Sequence, residues 1–129
     1  MAKKRIKKYI PCAVYLSVEA DDHNRDYKEE KQLRYIKDFC KSKGLDIVKV
    51  YSSGGIGYVD MKRHLMGMAK KISQGEFQAV VVANMKCIAS NEVDAYSKVG
   101  IITASGGMMY SVDEGLLGLN MKSMKEGVA

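Results

Sequence analysis

The stretch 79-AVVVANMKCIASNEVDAY-96 decides the fold. An apolar run passes into a polar turn, and the turn passes into the start of a helix. A continuous apolar strand, as opposed to an alternating one, is what a parallel sheet covered on both faces requires. Ser90 or Asn91, with Asp94 following, resembles a capping box and opens a helix there. In a parallel α/β sheet, reacting groups sit beyond the carboxyl ends of the strands. The turn that holds Lys86, Cys87 and Ser90 is therefore the first place to look for chemistry.

Outward from that stretch the same grammar repeats. Residues 12-CAVYLSV-18 form another nearly unbroken apolar strand, entered through Pro11, the only proline. From Tyr27 to Lys43 the chain is rich in Lys, Glu, Gln and Leu, and Leu33, Ile36, Phe39 and Cys40 fall on one helical face. Gly44 then takes the position after the helix. A second strand, 46-DIVKVY-51, leads into the glycine-rich loop 52-SSGGIGYVD-60. Asp60 is placed to cap a helix in which Met61, Leu65, Met68, Ala69 and Ile72 recur at helical spacing, and Gly75 ends it. The third strand is 78-QAVVVAN-84, and 108-MMYSV-112 is a weaker fourth. The order βαβαβαβ with right-handed crossovers gives an α/β, three-layer domain: a central, mostly parallel sheet of four or five strands flanked by helices. The domain is expected over residues 9–115, after a basic tail at 1–8 and before a partly frayed segment at 116–129.

Composition is that of an ordinary globular domain, with 47% apolar and 28% charged residues in 129. No apolar run approaches the length of a bilayer span, and the basic start lacks the apolar core of a signal peptide, so a cytoplasmic protein without membrane contact is expected. The net charge of +6 is concentrated: Lys3, Lys4, Arg5, Lys7 and Lys8 lie within the first eight residues, leaving 16 basic against 15 acidic residues in the rest. Such a tail neutralises phosphates without reading sequence, which makes non-specific DNA a candidate partner. Cys12, Cys40 and Cys87 are widely spaced and odd in number, so neither a disulfide framework nor a zinc site is indicated, and Cys12 and Cys40 read as core thiols. His23 and His64 read as surface residues, and no cofactor is called for.

Three segments follow strand ends: 17-SVEADD-22, 52-SSGGIG-57 and 84-NMKCIASN-91. Glu19, Asp21 and Asp22 are oxygen donors for Mg²⁺, but a phosphoacceptor domain needs an aspartate after the third strand, where Asn84-Met85-Lys86 stands. The glycines of 54-GGIG-57 lack the spacing of a phosphate-binding P-loop and read as a turn with positive φ. Cys87 beside Lys86 is a candidate nucleophile, without a histidine nearby in sequence to serve as its base.

Taken together these segments resemble the catalytic domain of the resolvase/invertase family of serine recombinases. The matching stretches are 15-YLSVE-19, Gln32, 51-YSSGGIGY-58, 62-KR-63 and 78-QAVVVANMKCIASN-91 with Asp94, ending at 110-YSVDEG-115. The resemblance implies an oligomeric domain that acts on DNA through a serine nucleophile and phosphate-binding arginines. At the nucleophile's place stands Glu19, and two residues earlier Ser17 replaces an arginine. After the third strand Cys87 and Ser90 replace arginines and Lys86 an aspartate; Ser53 replaces the aspartate after the second strand and Lys62 the arginine that precedes a proline. A phosphodiester transition state gains negative charge, and loss of one electrostatic donor costs about 10²–10³ in rate. With several lost at once, the expectation is a catalytically inactive, recombinase-like module. Its implied partners are a second copy or an intact serine recombinase, linked to recombination or a mobile element. Ser17 shares a strand face with position 19 but still lacks the arginine pair. The alternatives are a DNA-binding accessory protein anchored by the basic tail, or a small-ligand binder or hydrolase built from Glu19, Ser53, Lys86, Cys87 and Ser90. The family's long oligomerisation helix and separate DNA-binding domain find no match in these residues.

Overall fold

The computed structural model describes residues 9–19 and 22–118. The basic tail, Ala20, Asp21 and the segment from 119 onward lie outside the described residues, so the expectations for Lys3, Lys4, Arg5, Lys7 and Lys8 fall there too. Five strands alternate with three helices: β1 Ile10–Leu16, α1 Asp22–Lys43, β2 Leu45–Ser52, α2 Tyr58–Ser73, β3 Ala79–Val82, α3 Glu92–Ala104, β4 Met108–Ser111 and β5 Gly115–Leu117. They build one sheet in the order β2-β1-β3-β4-β5, parallel except for β5, which runs antiparallel to β4. The chain steps one way from β1 to β2 and the other way from β2 through β3 to β4. Right-handed crossovers therefore place α1 on one face and α2 with α3 on the other. Consistent with this, α1 packs on β1 and β2, and α2 packs on α3.

The core follows the apolar strands. Cys12 to Tyr15 and Ala79 to Val82 are fully buried, joined by Ile36 and Cys40 from α1, Met61, Leu65 and Met68 from α2, and Val99 and Ile102 from α3. Cys12 and Cys40 are core thiols, as expected. Both are buried, and the neighbouring Cys40 thiol, followed by burial, holds the Cys12 thiol well above its ordinary range.

Four readings of the sequence are corrected. Helix α1 begins at Asp22, a full turn before Tyr27, because the polar residues 22–26 extend the helix without needing an apolar face. The cap of α2 is Gly57 in extended conformation, not Asp60; Asp60 lies in the first turn, where its charge still suits the helix dipole. Residues 115–117, expected at the edge of a fraying segment, form β5: Gly115 at φ 89° reverses the chain and Leu117 buries beside Met109. His64 is not simply a surface residue. It is half-buried, and its ring meets that of Tyr15 edge-on at 5.8 Å, with the Tyr15 hydroxyl 3.0 Å from His64 Nδ1.

The burial of Tyr15 yields a pH dependence. Burial, followed by the nearby Cys87, pushes the Tyr15 hydroxyl up to about 12 from an ordinary value near 10. The fold therefore favours the protonated phenol, and this stabilisation is complete below pH ~10 and lost as pH rises towards ~12. Roughly 2–3 kcal/mol is expected to disappear across that window. Urea unfolding of the wild type and Tyr15→Phe measures it: the wild type should lose stability relative to Tyr15→Phe between those two pH values, and parallel curves would refute the account.

Candidate functional site

The strand order 2-1-3 reverses the direction of winding between β1 and β3, and a crevice opens at such a switch point beyond the strands' carboxyl ends. A cleft of ≈ 660 Å³ lies there. Its walls come from the end of β1, the first turns of α1, the loop after β2 and the turn after β3. All three segments expected to face a site do so. Of the seven positions singled out, Ser17, Glu19, Ser53, Lys86 and Cys87 line the cleft; Lys62 lies exposed on α2 and Ser90 is exposed beside the α3 cap, and neither is among the lining residues.

Gln32, reaching across from α1, fixes the end of β1. Its amide oxygen accepts from Ser17 N at 2.8 Å and its amide nitrogen donates to Ser17 O at 3.0 Å. The same carbonyl accepts from Cys87 Sγ at 3.5 Å. Cys87 thus forms part of the floor. It is 6% exposed, and burial above all raises its thiol above the ordinary range. A nucleophilic thiol needs the opposite surroundings, so the reading of Cys87 as a nucleophile finds no support.

The turn after β3 is a single 3-10 turn, Met85–Cys87. Cys87 N donates to Asn84 O and Ile88 N to Met85 O, each at 3.0 Å. From outside, Tyr58 OH donates to Lys86 O at 2.8 Å. From below, Lys98 of α3 places its ammonium 2.6 Å from Ile88 O, 2.7 Å from Tyr58 O and 3.0 Å from Asp94 Oδ2. Lys98 is 2% exposed, so each of its three protons is given to an acceptor inside the protein. As expected, Asn91 caps α3, its side chain accepting from Asp94 N at 2.8 Å.

The Gly54 and Gly55 turn has φ of 65° and 85°, the positive-φ turn read from the sequence. It has a second role that the sequence did not reveal. A Cβ on Gly55 would stand 2.8 Å from the Arg25 guanidinium, so the missing side chain makes room for that group to lie against the turn. Arg25 and Lys28 both line the cleft from α1, and Lys28 Nζ donates to Glu19 O at 3.0 Å. The charged residues among the described lining are Arg25, Lys28, Lys86 and Glu19. The substituted positions carry no guanidinium, and the one that lines the cleft, Arg25, is brought by α1 and not by a strand end. The helical pattern could have placed both residues on the first turns of α1. Their position over the cleft depends on tertiary packing.

Three solved structures are similar to this chain in fold. A resolvase family site-specific recombinase from Streptococcus pneumoniae superposes with a TM-score of 0.68 at 23% identity over 92% of this chain and 85% of its own. The N-terminal catalytic domain of TP901-1 integrase does so at 0.65 and 16% identity, covering 81% and 79%. The C-terminal catalytic domain of ISC1926 TnpA, an IS607-like serine recombinase, follows at 0.64 and 15%, covering 92% and 78%. The fold is that of a resolvase-type catalytic domain. No family model matches the chain, and no curated protein matches it either. Among the described residues no helix is long and apolar enough to cross a membrane.

Proposed function

We infer that this resolvase-type domain serves DNA recombination as a non-catalytic module, pairing with a second copy or with an intact serine recombinase. One observation carries the reading. At the switch point of a resolvase-type sheet, the position matching the family's nucleophile is Glu19, while Cys87, at an arginine's place, is a buried thiol bonded to Ser17 O. A scissile phosphate brought to the nucleophile's position meets the Glu19 carboxylate there, and the groups after β3 offer no guanidinium to share its charge. Ser17 does not replace the nucleophile, since its main chain is locked by Gln32 and no arginine pair stands opposite.

The test has two arms. Incubated with supercoiled DNA carrying recombination sites, the purified protein is expected to form no covalent protein–DNA adduct where an intact serine recombinase does; an adduct refutes inactivity. Mixed with that recombinase, or alone, it is expected to elute as a complex in gel filtration. Elution as a free monomer under both conditions counts against the module.

A further inference from the structure

The sheet ends on a long strand that no other described strand covers. β2 is outermost in the order β2-β1-β3-β4-β5, and at eight residues it is the longest of the five. The opposite edge, β5, has three residues. An outermost strand presents a row of unpaired N–H and C=O groups, which folded proteins ordinarily shorten, charge or cover. Here the middle of the strand carries apolar side chains in the open: Val48 is 49% and Val50 44% exposed. Which main-chain groups face outward follows from one hydrogen bond, from Ser53 N to Leu16 O at 2.8 Å. Main-chain groups alternate sides along a strand, so Tyr51 and Lys49 also turn theirs toward β1, while Val50 and Ser52 turn theirs outward. The ladder to β1 skips Val48, between the pairs Cys12–Ile47 and Ala13–Lys49, so the regular part of the edge begins at Lys49.

We propose that this edge binds the same edge of a second copy, β2 against β2 in antiparallel sense, about a two-fold axis at Val50. The inference rests on the reading of the domain as a pairing module and gives that pairing a surface. A two-fold strand pair sets one residue opposite itself. With Val50 there, its outward N–H and C=O exchange two hydrogen bonds with the Val50 of the second copy, and Lys49 stands opposite Tyr51 of that copy on each side of the axis. Lys49 already lies over its own Tyr51 ring, 5.8 Å from the centroid, so the pairing sets each ammonium among aromatic faces. Other registers are worse. Centred on Lys49, two like charges stand opposite each other, which destabilises a strand pair. Centred on Tyr51, Val50 meets Ser52 and Val48 meets Gly54, so neither valine has an apolar partner. Centred on Val48, the irregular stretches of both strands coincide. The strand is thus its own complement, apolar on apolar and cation on ring, which selects a second copy over an unrelated segment.

Sedimentation velocity of the full chain across a range of concentrations reads the self-association. Wild type is expected to pass from monomer to dimer as concentration rises. Val50→Pro removes the outward N–H and leaves the ladder to β1 intact, a change that edge strands tolerate; it should weaken the dimer at least about tenfold, because two main-chain bonds are lost. Val50→Lys keeps the main chain and sets two ammonium groups on the axis, and it should weaken the dimer too. An unchanged circular dichroism spectrum separates lost pairing from lost folding. Val50→Cys, oxidised with diamide, should cross-link, since opposite Cα atoms stand about 5.5 Å apart, whereas the two copies of residue 48 lie roughly 13 Å apart and Val48→Cys should not. The native cysteines are buried and should leave the wild type uncross-linked. A wild type that stays monomeric, dimerisation indifferent to both Val50→Pro and Val50→Lys, no cross-link through Val50→Cys, or one equally efficient through Val48→Cys overturns the proposal. These failures are distinct from failure of the module: dimerisation indifferent to residue 50, or a monomeric chain that still forms a complex with a recombinase, removes this edge and leaves the pairing standing.

Discussion

Replacing Lys98 with methionine is expected to lower the unfolding free energy by about 3 kcal/mol, with a fall of roughly 10 °C in the thermal midpoint for a domain of this size. The methionine stem keeps most of the packing, so the loss is electrostatic. Ile88 O loses its donor in the protein interior, at about 1–3 kcal/mol for a buried carbonyl left unmatched, and Tyr58 O, in the first turn of α2, loses a charged donor while keeping its helical amide. Removing the ammonium also abolishes its contact over the Tyr58 ring, 5.3 Å from the centroid. Against this stands the relief of no longer burying a charge, which can make replacement of a whole ion pair neutral. That relief does not decide the outcome here, because two of the three acceptors are main-chain groups that no substitution removes. Asp94 adds little to the penalty, being more than a third exposed and able to turn to water. Urea unfolding with an unchanged slope is the measurement, and a loss below about 1 kcal/mol would show that water replaces the ammonium.

The second large effect is expected at Gln32. Gln32→Leu preserves volume but removes both halves of the clamp on Ser17, whose N–H and carbonyl close the end of β1. About 2 kcal/mol should be lost, less than at Lys98 because Ser17 is only half-buried and water can reach it. The local consequence is sharper than the global one. Amide exchange at Ser17 is expected to accelerate by at least about tenfold, consistent with roughly 1.4 kcal/mol of lost local protection, while exchange in β3 follows global stability alone. Gln32→Glu, which still accepts from Ser17 N but cannot donate to its carbonyl, should lie between. Equal acceleration at Ser17 and throughout β3 would mean that the clamp is merely part of the general packing.

Where local chemistry decides the structure, the sequence was legible. The runs 12–16 and 79–82 are apolar throughout because both faces are covered, and the helical spacing of Met61, Leu65, Met68 and Ile72 matches the side of α2 that buries. The Asn91 cap and the positive-φ turn at Gly54 and Gly55 are likewise local properties of the residues involved. What escaped was set by distant partners. Lys98 looks like any solvent-facing lysine of a helix until Tyr58 O and Ile88 O are brought to it from 40 and 10 residues away. Strand β5 is three residues long and owes its existence to pairing with β4. Motif spacing located the cleft and five of its polar residues, yet not the two cations from α1. Nothing in 22-DHNRDYK-28 distinguishes an arginine beneath a glycine turn from one in water.

The turn after β3 is held almost wholly through main-chain atoms: Tyr58 grips Lys86 O, Lys98 grips Ile88 O, and Asn84 O and Met85 O receive the turn's own amides. Its exposed side chains consequently contribute little to keeping the backbone in place. A lineage could exchange reactive groups there one at a time, losing an old chemistry without ever passing through an unfolded intermediate. Mutational drift at this rim is then filtered by what the cleft must bind, and hardly at all by whether the chain folds.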